Sequence, residues 1–334
     1  MKTRQTIRKT GIYGTLGPSC ADTEILTEML SLGMTGVRLN LSHMSIQEAE
    51  PMLTSLKNAM ENCGRSCSLL IDMQGPELRI GVLKTPLVLT EGNILDLEEL
   101  CAPQQVLDAV RPGQMILLDD GRLLLLAEDS RTARVIRGGK LTSRKSIALP
   151  GTEIRLPALT GEDLMNISCA AEHGVTGVMQ PFVRSGEDLK TVRAALDAAG
   201  GQKIRLFAKI EDMKGVERLP ELLETADEIV IARGDLGNAM PLWELPAIQK
   251  RIAARCRAED KPFMVVTQML SSMEHSPVPT RAEISDIFNA VLDGAASVMV
   301  TGETAAGSYP REVIRYLANT AAEAERYLQN CEVK

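Results

Sequence analysis

The sequence predicts an α/β protein, a (β/α)8 TIM barrel with a small β-rich lid domain inserted after the third strand, on three observations. Short apolar runs alternate with amphipathic stretches of helical length, the pattern of βα units on a parallel sheet. The runs number eight. Between the third run and its helix lies a segment of different texture, and setting it aside leaves about 260 of the 334 residues, near the roughly 250 of a typical eight-fold barrel.

Taken in order, the first strand is expected over 12–16 with its helix over 22–31, the second over 36–41 with 45–62, and the third over 68–73. The insert then occupies 82–154. Its runs at 87–89, 115–118, 123–127 and 134–136 are separated by the turn pairs Glu91-Gly92, Pro112-Gly113, Asp120-Gly121 and Gly138-Gly139, which read as short strands and tight turns. The third helix resumes at 161–172. The remaining strands fall at 177–182, 205–210, 228–232, 263–267 and 297–301, followed by helices at 185–199, 215–224, 242–259, 281–293 and 310–329. The expected domains are thus a barrel from 1–81 and 155–334 and an insert over 82–154. An open doubly wound sheet ranks behind, because no glycine-rich dinucleotide fingerprint follows the first strand.

With 37 basic against 44 acidic residues the net charge is −7, which disfavours a general attraction to nucleic acid or anionic membranes. Any anion site must be local. The N-terminal MKTRQTIRKTGIYG is basic, but no apolar stretch of secretory length follows it, and no run reaches the roughly 18 apolar residues of a membrane span. A cytoplasmic location is expected. Seven scattered cysteines suit reduced thiols rather than a disulfide framework. Cys63 and Cys67 lack the second pair or histidines that a zinc site requires, and His43, His173 and His275 are dispersed.

In such a barrel the active site lies at the carboxyl ends of the strands. Polar residues ending apolar runs therefore carry the chemistry. The second run ends in Arg38, Asn40, Ser42 and His43, the third in Asp72 and Gln74 with Glu77 and Arg79 beyond, and the fifth in Lys209 and Glu211. The sixth ends in Arg233 and Asp235, the seventh in Thr267 and Gln268, and the eighth in Thr301 and Glu303. Lys209 and Glu211 are two apart on one strand and project to the same side. Alone they read as a salt bridge. Asp235, just after the run EIVIA, shifts the reading, since two carboxylates from neighbouring strands can share a hard cation such as Mg²⁺ that keeps waters for a phosphate-bearing ligand.

The ARGDLG turn over 232–237 offers two glycines and exposed amides as an anion nest. Arg38, Asn40, Ser42 and Asp72 form a second cluster, whose oxygens suit a monovalent cation while the guanidinium matches a phosphoryl group. An arginine–aspartate pair bracing two strands explains that cluster equally. In the insert, Arg131, Arg134, Arg137, Lys140, Arg144 and Lys145 occur without an acidic residue between Asp129 and Glu153. This is either a solvated face or, if the insert folds over the rim, an edge for a polyphosphate.

Taken together, GTLGPSC, GVRLNLSH, IDMQGPELRIG, LPGTEIRLPALTGED, KIEDMKGVERLPELLETADEIVIARGDLG, VVTQMLSSMEHSPVPTRAEISDIFNAVLDGA and VTGETAAGSYP resemble the pyruvate kinase family over nearly the whole chain. The resemblance implies transfer of the phosphoryl group of phosphoenolpyruvate to ADP, giving pyruvate and ATP. It assigns Glu211 and Asp235 to Mg²⁺ or Mn²⁺, Lys209 to the phosphoryl group and enolate oxygen, and the amides of Ala232, Arg233, Gly234 and Asp235 with Thr267 to the substrate carboxylate. Asn40, Ser42, Asp72 and the carbonyl of Met73 fall to K⁺, with Glu77 at the position that marks potassium-dependent members. Arg38, His43, Arg79, Asp120 and Lys145 fall to the nucleotide phosphates, and Thr301 to a hydroxyl relay toward the enolate.

Several features depart from that family. The chain stops near Lys334, after the eighth helix, where typical members continue into a further domain, so sugar-phosphate regulation by that route is not expected. The lid is short, Met73 and Gln74 replace a threonine and a lysine, and Glu48 or a neighbour stands where many members present a tyrosine to the adenine. Two alternatives follow: a relative that binds phosphoenolpyruvate or pyruvate without transferring phosphate, and a metal-dependent lyase or aldolase acting on a pyruvate enolate. The sequence does not set the oligomeric state, and a homo-oligomer through the barrel is one assembly it leaves open.

Overall fold

A computed structural model describes residues 9–331 apart from His43, Glu77, Asp120, Glu153, Arg155 and Leu156. Among the described residues eight parallel strands close a barrel: β1 (Gly11–Thr15), β2 (Gly36–Asn40), β3 (Ser68–Asp72), β4 (Gly177–Gln180), β5 (Arg205–Ile210), β6 (Glu228–Ala232), β7 (Phe263–Val266) and β8 (Ser297–Met299). Each pairs with its neighbours in sequence order, and β1 pairs with β8 to close the ring. The (β/α)8 class expected from the alternating runs is the architecture found.

Period two decides what each strand buries. Leu70, Phe207, Val230, Ala232, Met264, Val266 and Met299 form one cluster with Tyr13 and Met179, whereas the intervening Leu69, Ile71, Leu206, Ala208, Ile229, Ile231 and Val265 belong to a second, larger one shared with the helices. Successive side chains point to opposite faces, so the first cluster fills the barrel and the second seals it to its helical shell. Glycine makes room for the two aromatic rings inside. A Cβ on Gly36 would stand 2.0 Å from the Tyr13 ring, and one on Gly177 would stand 2.6 Å from Phe207.

Helix starts differ from the periodicity at three places. The helices expected at 45, 215 and 242 begin or restart at Glu50–Cys63, Leu219–Thr225 and Leu245–Ala258, each with proline in its first turn. Pro51, Pro220 and Pro246 lack the N–H a preceding helix would need and are tolerated only there. Two of the strands that stop early do so at left-handed backbone. Phe182 and Thr267 take φ of 49° and 75°, which breaks extended backbone, so β4 ends at Gln180 and β7 at Val266.

The chain divides into two compact units, Met1–Gly75 with Ala158–Lys334, and Pro76–Pro157. The second has its own core, including Ile116, Leu118, Leu125, Val135 and Leu141. Its five-stranded antiparallel sheet runs in the order Ile147–Ala148, Met115–Leu118, Leu123–Ala127, Thr132–Arg137 and Ile94–Asp96. A two-stranded ladder joins Leu87–Leu89 to Gly139–Leu141. The basic run is largely engaged inside this unit. Arg131 meets Glu98 at 3.0 Å, Lys145 meets Asp119 at 2.7 Å, Arg134 pairs with Glu128, and Arg137 donates to the carbonyls of Gly121 and Arg122.

Candidate active site

The carboxyl ends of β2, β3 and β5 bring four charges together. Lys209 Nζ lies 2.8 Å from Glu211 Oε1 and 3.2 Å from Asp72 Oδ2. Arg38 donates to the same Asp72 oxygen, through Nε at 2.8 Å and Nη2 at 2.6 Å. The other oxygen of Glu211 accepts the Phe182 N–H at 2.7 Å, a contact that the left-handed turn at Phe182 makes possible. Asp72 Oδ1 is buried with no partner. The arginine–aspartate brace and the Lys209–Glu211 salt bridge, read from sequence as bland alternatives, are both present, and Lys209 links them by also meeting Asp72.

Electrostatics follow from this packing. Burial alone would push the Lys209 ammonium down, but Asp72 and Glu211 outweigh it and hold the group above the ordinary lysine value. Burial would raise Asp72, yet Lys209 and Arg38 overcome that and keep its carboxyl below the usual range. Glu211 goes the other way. Burial lifts it, Lys209 only partly offsets the lift, and the charge of Asp235 adds to it. The site therefore holds a fixed cation beside a carboxylate crowded by a second carboxylate.

Arg38, Asp72, Lys209 and Glu211 line a cavity of about 240 Å³. Ala232, Gly234 and Asp235 reach it from β6, and Thr267 and Thr301 from β7 and β8. The ARGDLG segment is not an open turn: Arg233–Asn238 forms a short helix directly after β6, which makes its amides the first N–H groups of a helix. The Arg233 side chain leaves the cavity lining and turns to the carbonyls of Thr267 and Gln268. Thr301 donates its N–H to Glu303 Oε2 at 2.6 Å and its hydroxyl at 3.3 Å, while Glu303 Oε1 accepts the Leu270 N–H at 3.2 Å. That buried carboxylate ties the ends of β7 and β8.

Other predicted residues fall elsewhere. Asn40 ends β2 and its Oδ1 accepts the Ser42 N–H at 3.2 Å, and Met73 buries its side chain in the helix-facing core. Arg79 and Lys145 lie in the Pro76–Pro157 unit, where Arg79 donates to the Arg144 carbonyl at 2.8 Å. His43, Asp120 and Glu77 lie outside the described residues. Glu48, at the adenine-facing position, accepts the Ser45 N–H at 2.6 Å. Among the described residues no group of three or more histidine, cysteine, aspartate or glutamate side chains gathers as a metal cluster, and no helix is long and apolar enough to cross a membrane.

Sequence reasoning missed Asp163, Asn166 and Asp286. Fully buried Asp163 accepts the N–H groups of Thr160, Gln74 and Gly75 at 2.8, 2.9 and 3.1 Å, fixing the chain as it leaves β3. The capping box of Thr160 and Asp163 was a visible signal, but the grip on Gln74 and Gly75 has no local signature. Asn166 Oδ1 holds the Ile46 N–H at 3.0 Å in the loop after β2.

Fold and site define the class: a (β/α)8 barrel with a charged cavity at the carboxyl ends of its strands. A family model described as the pyruvate kinase barrel domain matches residues 7–314. The chain is 38% identical over 326 residues to a pyruvate kinase of Aeropyrum pernix, covering 95% of this chain and 71% of that one. It is 36% identical over 343 residues to one from Geobacillus stearothermophilus, covering 98% and 58%, and 35% identical over 341 residues to one from Debaryomyces hansenii, covering 96% and 68%. The chain belongs to the pyruvate kinase family.

Proposed function

We propose that this chain transfers the phosphoryl group of phosphoenolpyruvate to a nucleoside diphosphate such as ADP, giving pyruvate and ATP. The observation that carries this reading is the meeting of Lys209, Arg38, Asp72, Glu211 and Asp235 around one small cavity. Phosphoryl transfer needs little covalent help from protein, so positioning and charge neutralisation carry most of the catalysis. Lys209 stays protonated across the working pH range and supplies a fixed positive charge for the transferring group and the enolate oxygen. Arg38 offers its remaining donors to phosphoryl oxygens.

Two cations fit the residues present. The crowding of Glu211 by burial and by Asp235 is relieved by a divalent ion, and Mg²⁺ or Mn²⁺ held by these carboxylates would neutralise phosphate charge when bound. The buried, unpartnered Asp72 Oδ1 is an acceptor that K⁺ would satisfy, with Asn40, Ser42 and the Met73 carbonyl as companion ligands. The substrate carboxylate falls to the amides of Ala232, Arg233, Gly234 and Asp235 with the Thr267 hydroxyl. Thr301, whose hydroxyl donates to Glu303, is the group assigned to the proton relay toward the enolate. Nucleotide phosphates fall, on the barrel unit, to Arg38 and His43.

Purified protein with Mg²⁺, K⁺, phosphoenolpyruvate and ADP is expected to form pyruvate in a lactate-dehydrogenase-coupled assay. No pyruvate above background would sink the kinase reading. Lys209→Met is expected to lower turnover by roughly 10²–10³-fold or more, and activity surviving that change would mean the catalytic charge lies elsewhere.

A further inference from the structure

The arginine that begins the short helix after β6 has no place in the chemistry above beyond its backbone amide, yet every nitrogen of its guanidinium has a partner. It is buried, and its Nε and Nη2 both donate to the Thr267 carbonyl, at 3.1 and 2.8 Å. Nη2 also reaches the Gln268 carbonyl at 3.2 Å and Met269 Sδ at 2.9 Å. Nη1 meets Asp286 Oδ2 on the helix Arg281–Leu292 at 2.6 Å.

The segment it grips is strained. Thr267 and Gln268 take φ of 75° and 54°, and for a β-branched residue a positive φ is a true outlier that persists only when its surroundings over-determine it. Two adjacent residues supply that determination. Arg233 holds the Thr267 carbonyl, and Gly234 leaves the space in which the threonine side chain sits, since a Cβ there would stand 3.1 Å from Thr267 Cγ2. The outcome is a threonine turned into the cavity beside Gly234 and Asp235. A relaxed, extended residue at 267 would continue β7 and lose that orientation.

We infer that Arg233 is a positioning residue: braced by Asp286, its guanidinium clamps the Thr267 carbonyl in the left-handed conformation that presents the threonine hydroxyl to the substrate. This rests on the reading of the site as a phosphoenolpyruvate centre, and it deepens that reading by making recognition of the substrate carboxylate depend on a side chain outside the cavity. Lysine cannot replace the clamp fully, because a single ammonium cannot serve Asp286 and two carbonyls with the arginine fork's geometry.

The test is a double-mutant cycle on the full chain with Arg233→Met, Thr267→Ala and both together. If the clamp acts through Thr267, Arg233→Met raises KM for phosphoenolpyruvate about tenfold with KM for ADP unchanged, and adds little once Thr267 is alanine. Arg233→Lys should recover part of the loss. Wild-type kinetics in Arg233→Met, or independent effects that multiply in the double variant, would overturn the inference. Should the wild-type protein not turn over phosphoenolpyruvate, the functional reading fails, and the clamp is then judged by crystal structures of Arg233→Met and wild type. A Thr267 φ that becomes negative in the variant upholds it, and one that stays near its present value overturns it. Arg233→Lys carries the same measurements if the methionine variant does not fold.

Discussion

The two ends of the barrel are built from the same materials and finished differently. At the amino-terminal end of the strands, Arg205 on β5 meets Glu228 Oε2 on β6 at 3.0 Å, and Ser297 on β8 gives its hydroxyl to the other oxygen at 2.9 Å. Arg205 also lies over the Phe207 ring, and Tyr13 occupies the space that Gly36 leaves. At the carboxyl end, four residues further along β5, Lys209 meets two carboxylates, one of which keeps a buried oxygen unpaired. The loops there carry Phe182, Thr267 and Gln268 at positive φ. One end closes its charges on itself, and the other leaves them facing a cavity. A completed buried network supports the fold, whereas an incomplete one is a cost tolerated where a ligand completes it.

Substitutions separate the two roles, and the largest effect is expected at the rim. Glu211→Gln keeps an acceptor for the Phe182 N–H but removes a charge that burial and Asp235 disfavour. Turnover should fall by roughly 10²–10³-fold, while the melting temperature of the metal-free protein stays level or rises. A large loss of stability in calorimetry would break the comparison.

At the floor the expectation inverts. Glu228→Ala strips the acceptor from Arg205 and from the Ser297 hydroxyl, and should cost about 3 kcal/mol in urea unfolding with kcat per folded molecule unchanged. Gly36→Ala pushes a methyl into the Tyr13 ring and should cost about 1–3 kcal/mol through overpacking. A kcat defect in either would mean that the floor communicates with the chemistry.

The smallest effect concerns pH. Burial pushes the Cys67 thiol up to about 12 with Cys63 adding to the lift, and burial likewise raises Tyr13, which also feels the charge of Cys67. An unfolded thiol loses its proton near its ordinary value of 9.0 while the folded one keeps it. Above that pH the unfolded state binds fewer protons and stability falls. The contribution is complete below about pH 9 and gone above about pH 12. Denaturation midpoints should decline more steeply in this window for wild type than for Cys67→Ala, and equal slopes would remove Cys67 from the account.

Much of this was legible in the chain. Short continuous apolar runs mark the strands of the barrel, because a strand buried on both faces is largely apolar throughout, and strand-end position alone singled out Lys209, Glu211, Asp72 and Thr267. Pro51, Pro220 and Pro246 reset helix starts that periodicity places too early, a local effect readable in hindsight from the missing N–H. The grip of Asp163 on Gln74 and Gly75, 89 and 88 residues away, was not readable at all.

What the sequence determined by itself is the set of elements and the chemical types gathered at their ends, since both depend on periodicities a few residues long. Only the tertiary structure decided the pairings. Arg38 and Lys209 share one oxygen of Asp72, and Arg233 turns from the cavity to hold Thr267 in a conformation its own side chain disfavours. Those choices exist once the barrel closes, because closure alone brings strands separated by tens to hundreds of residues within hydrogen-bonding distance and removes the water that would otherwise satisfy each group separately.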